Sequence, residues 1–138
     1  MMITQHFSSV EFACHDGIAY PPEWITDRLF PLCQALEAIR AACGDRPVTI
    51  ISGYRTPEHN AAVGGASKSQ HMEGRAADIA VEGMAPSDVH AATLDLFNAG
   101  KISIGGLGVY PAWVHVDVRP WIGHLAQWVG SGVGSEVT

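Results

Sequence analysis

Cysteine is scarce, charge is sparse and long apolar runs are missing from this 138-residue sequence. The three cysteines, Cys14, Cys33 and Cys43, are an odd number without CxxC spacing, which argues against a disulfide framework or a cysteine-built zinc knuckle. A reduced compartment fits that usage. No apolar stretch approaches the ~18 to 20 residues of a membrane span, so no membrane partner is expected. Met1 to Glu11 has neither the basic cluster nor the apolar stretch of a secretory leader, and cytoplasmic synthesis is the expectation. Eight Lys plus Arg stand against fourteen Asp plus Glu, and the net charge of −6 lacks the electrostatic footprint of a nucleic-acid binder. Only 16% of residues are charged while 47% are hydrophobic, a composition that folds rather than stays disordered. Internal repeats and dividing linkers are also missing, so residues 1–128 read as one domain with a sizeable core. Residues 129–138, rich in Gly and Ser, read as a flexible tail.

The pattern of apolar residues places the elements. Phe7, Val10 and Phe12 dock an irregular N-terminal segment, and Tyr20-Pro21-Pro22 forbids a helix through that point. Ile25, Leu29, Leu32, Leu36, Ile39 and Cys43 recur at spacings of three and four, which predicts a helix from about Trp24 to Cys43. Pro31 objects to it: the residue must sit in a first turn or kink the helix. Cys33 and Cys43 fall on the apolar face of that helix, whereas Cys14 has no clear place. Val48 to Ile51 reads as a buried strand, and Thr56 caps a short helix that opens on Pro57 and stops before Gly64. A strand over Ala76 to Val81 and a helix from Pro86 to Gly100 follow, then strands at Gly108 to Tyr110 and Trp113 to Val118.

Period two in the last strand puts Trp113, His115 and Asp117 on one face and Val114, Val116 and Val118 on the other. A polar face of that kind meets either water or something charged. Earlier in the chain, His71 stands in a loop and Asp78 in the following strand, with Gly74 free to turn tightly between them. Two imidazoles and a carboxylate from separate elements make a common catalytic zinc set with one position open. With seven histidines in the chain, a chance grouping stays open on spacing alone. His6, His15 and His90 lie outside the pattern, His59 on the short helix reads as a solvated side chain, and His124 is not expected at the cleft although the tail could bring it there. Gly64-Gly65 and Gly105-Gly106 do not have the spacing of a phosphate-binding loop.

Taken in order, Ser52-Gly53-Tyr54-Arg55-Thr56, Asn60, Val63-Gly64-Gly65, Ser69-x-His71-x-x-Gly74-x-Ala76-x-Asp78, Gly108-x-Tyr110-Pro111 and Val114-His115-Val116-Asp117 resemble the zinc D-alanyl-D-alanine carboxypeptidase family. That family includes murein endopeptidases and phage endolysins, and the likeness runs from about Phe7 to Arg119. It implies a small α+β domain whose short antiparallel sheet bears a zinc site, with helices packed on the other side. It implies His71, Asp78 and His115 as zinc ligands, and hydrolysis of a peptide bond in the stem peptide of peptidoglycan. Arg55 is expected to face the substrate, where its guanidinium suits an oxyanion or a carboxylate; pairing with a surface carboxylate is the plainer alternative.

The sequence departs from the family where several members carry Glu or Asp three residues before the last ligand, for Ala112 stands there. Asp117 then remains as general base, as an orienting partner of a ligand, or as an ion pair with Arg119. Ser69 and Gln70 are candidates for hydrogen bonds to ligand or substrate, or for turn chemistry alone. Trp113 is a candidate cleft wall, or core. A monomer is expected, released or delivered to the cell wall if of phage origin. The alternatives to a carboxypeptidase or endopeptidase are a zinc-containing peptidoglycan-binding module without turnover, and a dipeptidase acting on free D-alanyl-D-alanine.

Overall fold

A computed structural model describes residues 1–131. Pro31 shapes the first long helix as its chemistry demands. It lies in the first turn of α1 (Phe30–Ala42), where its missing N–H costs nothing. The preceding residues, Ile25–Leu29, wind into a wider π turn in which the Phe30 amide donates to the Ile25 carbonyl. The helix expected from Trp24 onward is therefore continuous in path but changes pitch at the proline. After β1 (Val48–Ser52), Thr56 caps α2 (Pro57–Ala62) by accepting from the His59 amide at 3.1 Å. β2 (Ala76–Val81) and α3 (Pro86–Asn98) match their expected positions closely.

The remaining strands are β3 (Gly106–Val109), β4 (Val114–Asp117) and β5 (Ala126–Val129), and the sheet runs β1-β2-β4-β3-β5. All pairings are antiparallel except β3 with β5, which is parallel. That fifth strand adds to the antiparallel sheet expected from the sequence, and Val129 within it belongs to the sheet rather than to a tail. Of the rest of the expected tail, the Gly130 amide donates to the Val109 carbonyl at 2.9 Å, and residues 132–138 lie outside the described residues.

Alternation gives the sheet two chemically different faces. Ala77, Ile79, Val114, Val116 and Leu107 enter the core with Leu32, Leu36 and Ile39 of α1 and Val89 of α3. These helices touch one another and cover one face. The core also takes Phe7 and Phe12 from the N-terminal segment. Cys33 and Cys43 are buried in it, and burial pushes the Cys33 thiol up to about 12, leaving it inert. No helix among the described residues is long and apolar enough to cross a membrane. The opposite face of the sheet carries Asp78, His115 and Asp117.

Candidate metal centre

Strand register does much of the assembly. Asp78 of β2 lies directly across from His115 of β4, so their side chains emerge side by side on the face away from the helices. His71 arrives from a single 3-10 turn, Gln70–Glu73, opened by Ser69, whose hydroxyl accepts from the His71 amide at 3.2 Å. Gly74 closes that turn at φ 66, a left-handed conformation suited to glycine, and a Cβ there would strike Trp24 and Tyr20. The chain can then enter β2 at once. His71 Nε2 comes within 3.3 Å of Asp78 Oδ1, His115 Nδ1 within 3.2 Å of the same oxygen, and the two rings stand 5.2 Å apart. All three residues are buried.

The ring nitrogens turned away from this point are already committed. His71 Nδ1–H donates to the Gly53 carbonyl at 2.7 Å, and His115 Nε2–H donates to Asp117 Oδ2 at 2.7 Å. Those bonds set both tautomers, leaving His71 Nε2 and His115 Nδ1 as lone-pair donors toward Asp78. His115 Nδ1 is buried and makes no hydrogen bond. A buried nitrogen of that kind beside a carboxylate fits a cation between them. Burial pushes the His71 pKa down, favouring the neutral imidazole that ligation requires. For Asp78, burial alone would raise the pKa, but His71 and His115 outweigh it and hold the carboxyl well below the usual range.

Asp117 accepts from His115 Nε2, from the Arg119 backbone amide at 3.1 Å, and from Arg119 Nε and NH2 at 2.9 and 2.6 Å. Burial opposes its charge, yet Arg119 and then His115 hold its carboxyl well below the usual range. Arg55 stands against the triad and is 1% exposed, with Nε 3.3 Å from Ser52 Oγ, NH1 3.2 Å from Asn60 Oδ1 and NH2 3.8 Å from Asp78 Oδ2. Its carboxylate partner is buried rather than on the surface, because a buried Asp78 needs compensating charge behind it.

The sequence profile of the Peptidase M15 family matches residues 5–117, a span that holds the whole triad. The chain belongs to the Peptidase M15 family. Over 44 residues it is 52% identical to a zinc D-Ala-D-Ala carboxypeptidase of Streptomyces albus G, covering 32% of this chain and 17% of that protein. Over 82 residues it is 38% identical to the peptidoglycan L,D-endopeptidase MepK of Escherichia coli K12, covering 54% of this chain and 42% of the relative. The matched region thus spans less than half the length of either relative.

In this Peptidase M15 chain a cavity of about 240 Å³ opens beside His115, lined by Lys68, Ser69, Gln70, Tyr110, Arg119 and Trp128 among others. Trp113 does not wall it. That side chain is buried and stacked on Tyr110 at 4.6 Å, because strand alternation fixes a face but not a depth. Trp128 of β5 takes the position instead, 4.9 Å from the His115 ring, with its Nε1–H donating to Tyr110 Oη at 2.8 Å. Sequence reasoning missed Trp128 because it missed β5; the glycines at 106 and 108 were the available signal. A Cβ on Gly108 would reach within 2.5 Å of the Trp128 ring, and one on Gly106 would strike the Asp117 carboxylate. Gln70, expected at the site, lines the cavity and buries an Oε1 that has no hydrogen-bond partner.

Proposed function

We propose that this chain is a zinc-dependent peptidase that hydrolyses a peptide bond in peptidoglycan stem peptides, as a D-Ala-D-Ala carboxypeptidase or a murein endopeptidase. The observation that carries the reading is the convergence of His71 Nε2, Asp78 Oδ1 and His115 Nδ1, all within 4.8 Å of one another, with the opposite ring nitrogens tied down. Zinc, when bound there, supplies Lewis acidity that polarises a carbonyl and activates water. Asp117 orients His115: its accepted bonds use the roughly four acceptor sites of a carboxylate, which supports that role over general base. Arg55 stands behind Asp78, with NH2 3.8 Å from Oδ2. Ser69 positions His71 through the turn it caps. Gln70, Lys68, Tyr110 and Trp128 present amide, ammonium, hydroxyl and aromatic surfaces to a peptide in the adjoining cavity.

Digestion of purified sacculi with the zinc-loaded chain, read by mass spectrometry, tests this. Free D-alanine marks a carboxypeptidase and opened cross-links an endopeptidase, and His71→Ala should reduce either to background. Absence of any new product from the loaded chain rejects the reading. Lysis of intact cells on external addition would extend it to the endolysin role.

One observation favours a second reading. Ala112 stands at the family's usual base position and, among the described residues, no Asp or Glu lines the cavity beside His115. A zinc-containing binding module would retain muropeptides on a column without converting them.

A further inference from the structure

The third cysteine does not behave like the other two. Cys33 and Cys43 belong to the apolar core, whereas Cys14 is buried outside it, among polar donors. A tight turn sets it there: the Gly17 amide donates to the Cys14 carbonyl at 3.0 Å, the Cys14 amide donates to the Ile18 carbonyl at 2.9 Å, and Gly17 takes φ 94. The same turn brings Asp16 beside Thr56, whose hydroxyl donates to Asp16 Oδ2 at 2.8 Å. The Thr56 amide lies 3.5 Å from Cys14 Sγ. One turn into α2, His59 extends its ring toward the same place.

We propose a second cation site, formed by Cys14 Sγ, an Asp16 carboxylate oxygen and a His59 ring nitrogen, that takes zinc or another thiophilic divalent ion. The three donor atoms lie within 4.8 Å of one another and come from two segments about 40 residues apart in sequence. Thiolate, imidazole and carboxylate together are a zinc-type donor set, and the bond lengths of such sets put ligand atoms roughly 3.5 Å apart around one ion. Asp16 is exposed and His59 half-buried, and the Asp16 carboxylate is held in place by the Ile18 amide on Oδ1 at 2.9 Å and the Thr56 hydroxyl on Oδ2. His15, exposed and with its ring 6.0 Å from that of His59, stands beside the remaining side.

The site has a structural consequence. The Tyr54 amide donates to the Phe12 carbonyl at 2.9 Å, and a Cβ on Gly53 would approach Phe12 Cα to 2.7 Å, so the N-terminal segment and the loop after β1 already lie against each other. A cation bridging residues 14–16 to His59 would fasten the two. That loop carries the Gly53 carbonyl that orients His71, and the Arg55 amide donates to the His71 carbonyl at 3.0 Å. The second ion would therefore brace the backbone on which His71 depends, without touching substrate.

Metal content and a cobalt spectrum of the full chain test the proposal independently of any activity. Zinc-saturated wild type should hold two equivalents per chain, and Cys14→Ser and His59→Ala one each. After cobalt exchange, wild type should show a thiolate-to-cobalt charge-transfer band in the near ultraviolet. That band should vanish in Cys14→Ser yet persist in His71→Ala, since the His71, Asp78 and His115 set contains no sulfur. Asp16→Asn, at an exposed position, should weaken cobalt binding by about tenfold or more while leaving the fold intact, as its circular dichroism would show. No thiolate band in wild type, a band that survives Cys14→Ser, or a zinc content that Cys14→Ser leaves unchanged overturns the site, whereas a content unchanged by His71→Ala counts against the triad alone.

Discussion

At the scale of single residues, the triad is defined as much by what surrounds it as by its own donors. The grouping of His71, Asp78 and His115 was expected from the family resemblance, whereas residue type and strand period alone placed His115 and Asp117 on one face and left the grouping open. The depth of Arg55 and Trp113 was legible in neither, since burial depends on what the rest of the chain lays over a position. Asp117 shows the difference in function that follows. As an orienting group it fixes the His115 tautomer through the 2.7 Å bond from Nε2, and Arg119 clamps it in place. Asp117→Asn would lose the charge that this arrangement stabilises and could present an N–H to the ring. Zinc affinity should fall about 10- to 100-fold, measured by competition with a chromogenic chelator, with turnover recovered at saturating zinc. A variant that binds zinc normally but has lost turnover would make Asp117 the base instead.

At the scale of elements, the sheet explains why two glycines precede the last ligand strand. Gly106 pairs with Asp117 and Gly108 with His115 across β3 and β4, and both face the side that holds the site. The β3 backbone can carry no side chains there, because Asp117 and Trp128 fill the space that a Cβ would take. Gly106→Ala should therefore cost about 1 to 3 kcal/mol in thermal unfolding and displace the Asp117 carboxylate, lowering zinc affinity with it. Strands β1, β2 and β4 could be read from β-branched runs and alternation, and β3 only in part, since the strand expected at Gly108 to Tyr110 runs Gly106–Val109. The parallel strand β5 could not: separated along the chain from its partner β3 by β4, it owes its place to non-local pairing. The π turn before Pro31 was half legible, as the proline announced a disturbance without saying which geometry would absorb it.

At the scale of the whole molecule, the fold closes by tying its N-terminal segment to α1, and one carboxylate does much of it. Glu37 accepts from the His6 amide at 2.7 Å through Oε2 and pairs with His6 Nδ1 at 2.7 Å through Oε1, 31 residues away in sequence. Phe7, the next residue, is thereby held in the core. Burial opposes the charge on Glu37, but the His6 bonds outweigh it and hold the carboxyl below its ordinary value. A carboxyl with a depressed folded pKa binds protons more weakly folded than unfolded, so its contribution is full above the ordinary carboxylate range. That contribution is lost as pH falls through the folded value. Glu37→Gln should accordingly cost about 1 kcal/mol at pH 7, and the gap to wild type should shrink as the solution is acidified below about pH 4. Denaturant titrations of both chains at a series of pH values measure this. A gap that stays constant through the acid range would assign the loss to packing rather than to the charged carboxylate.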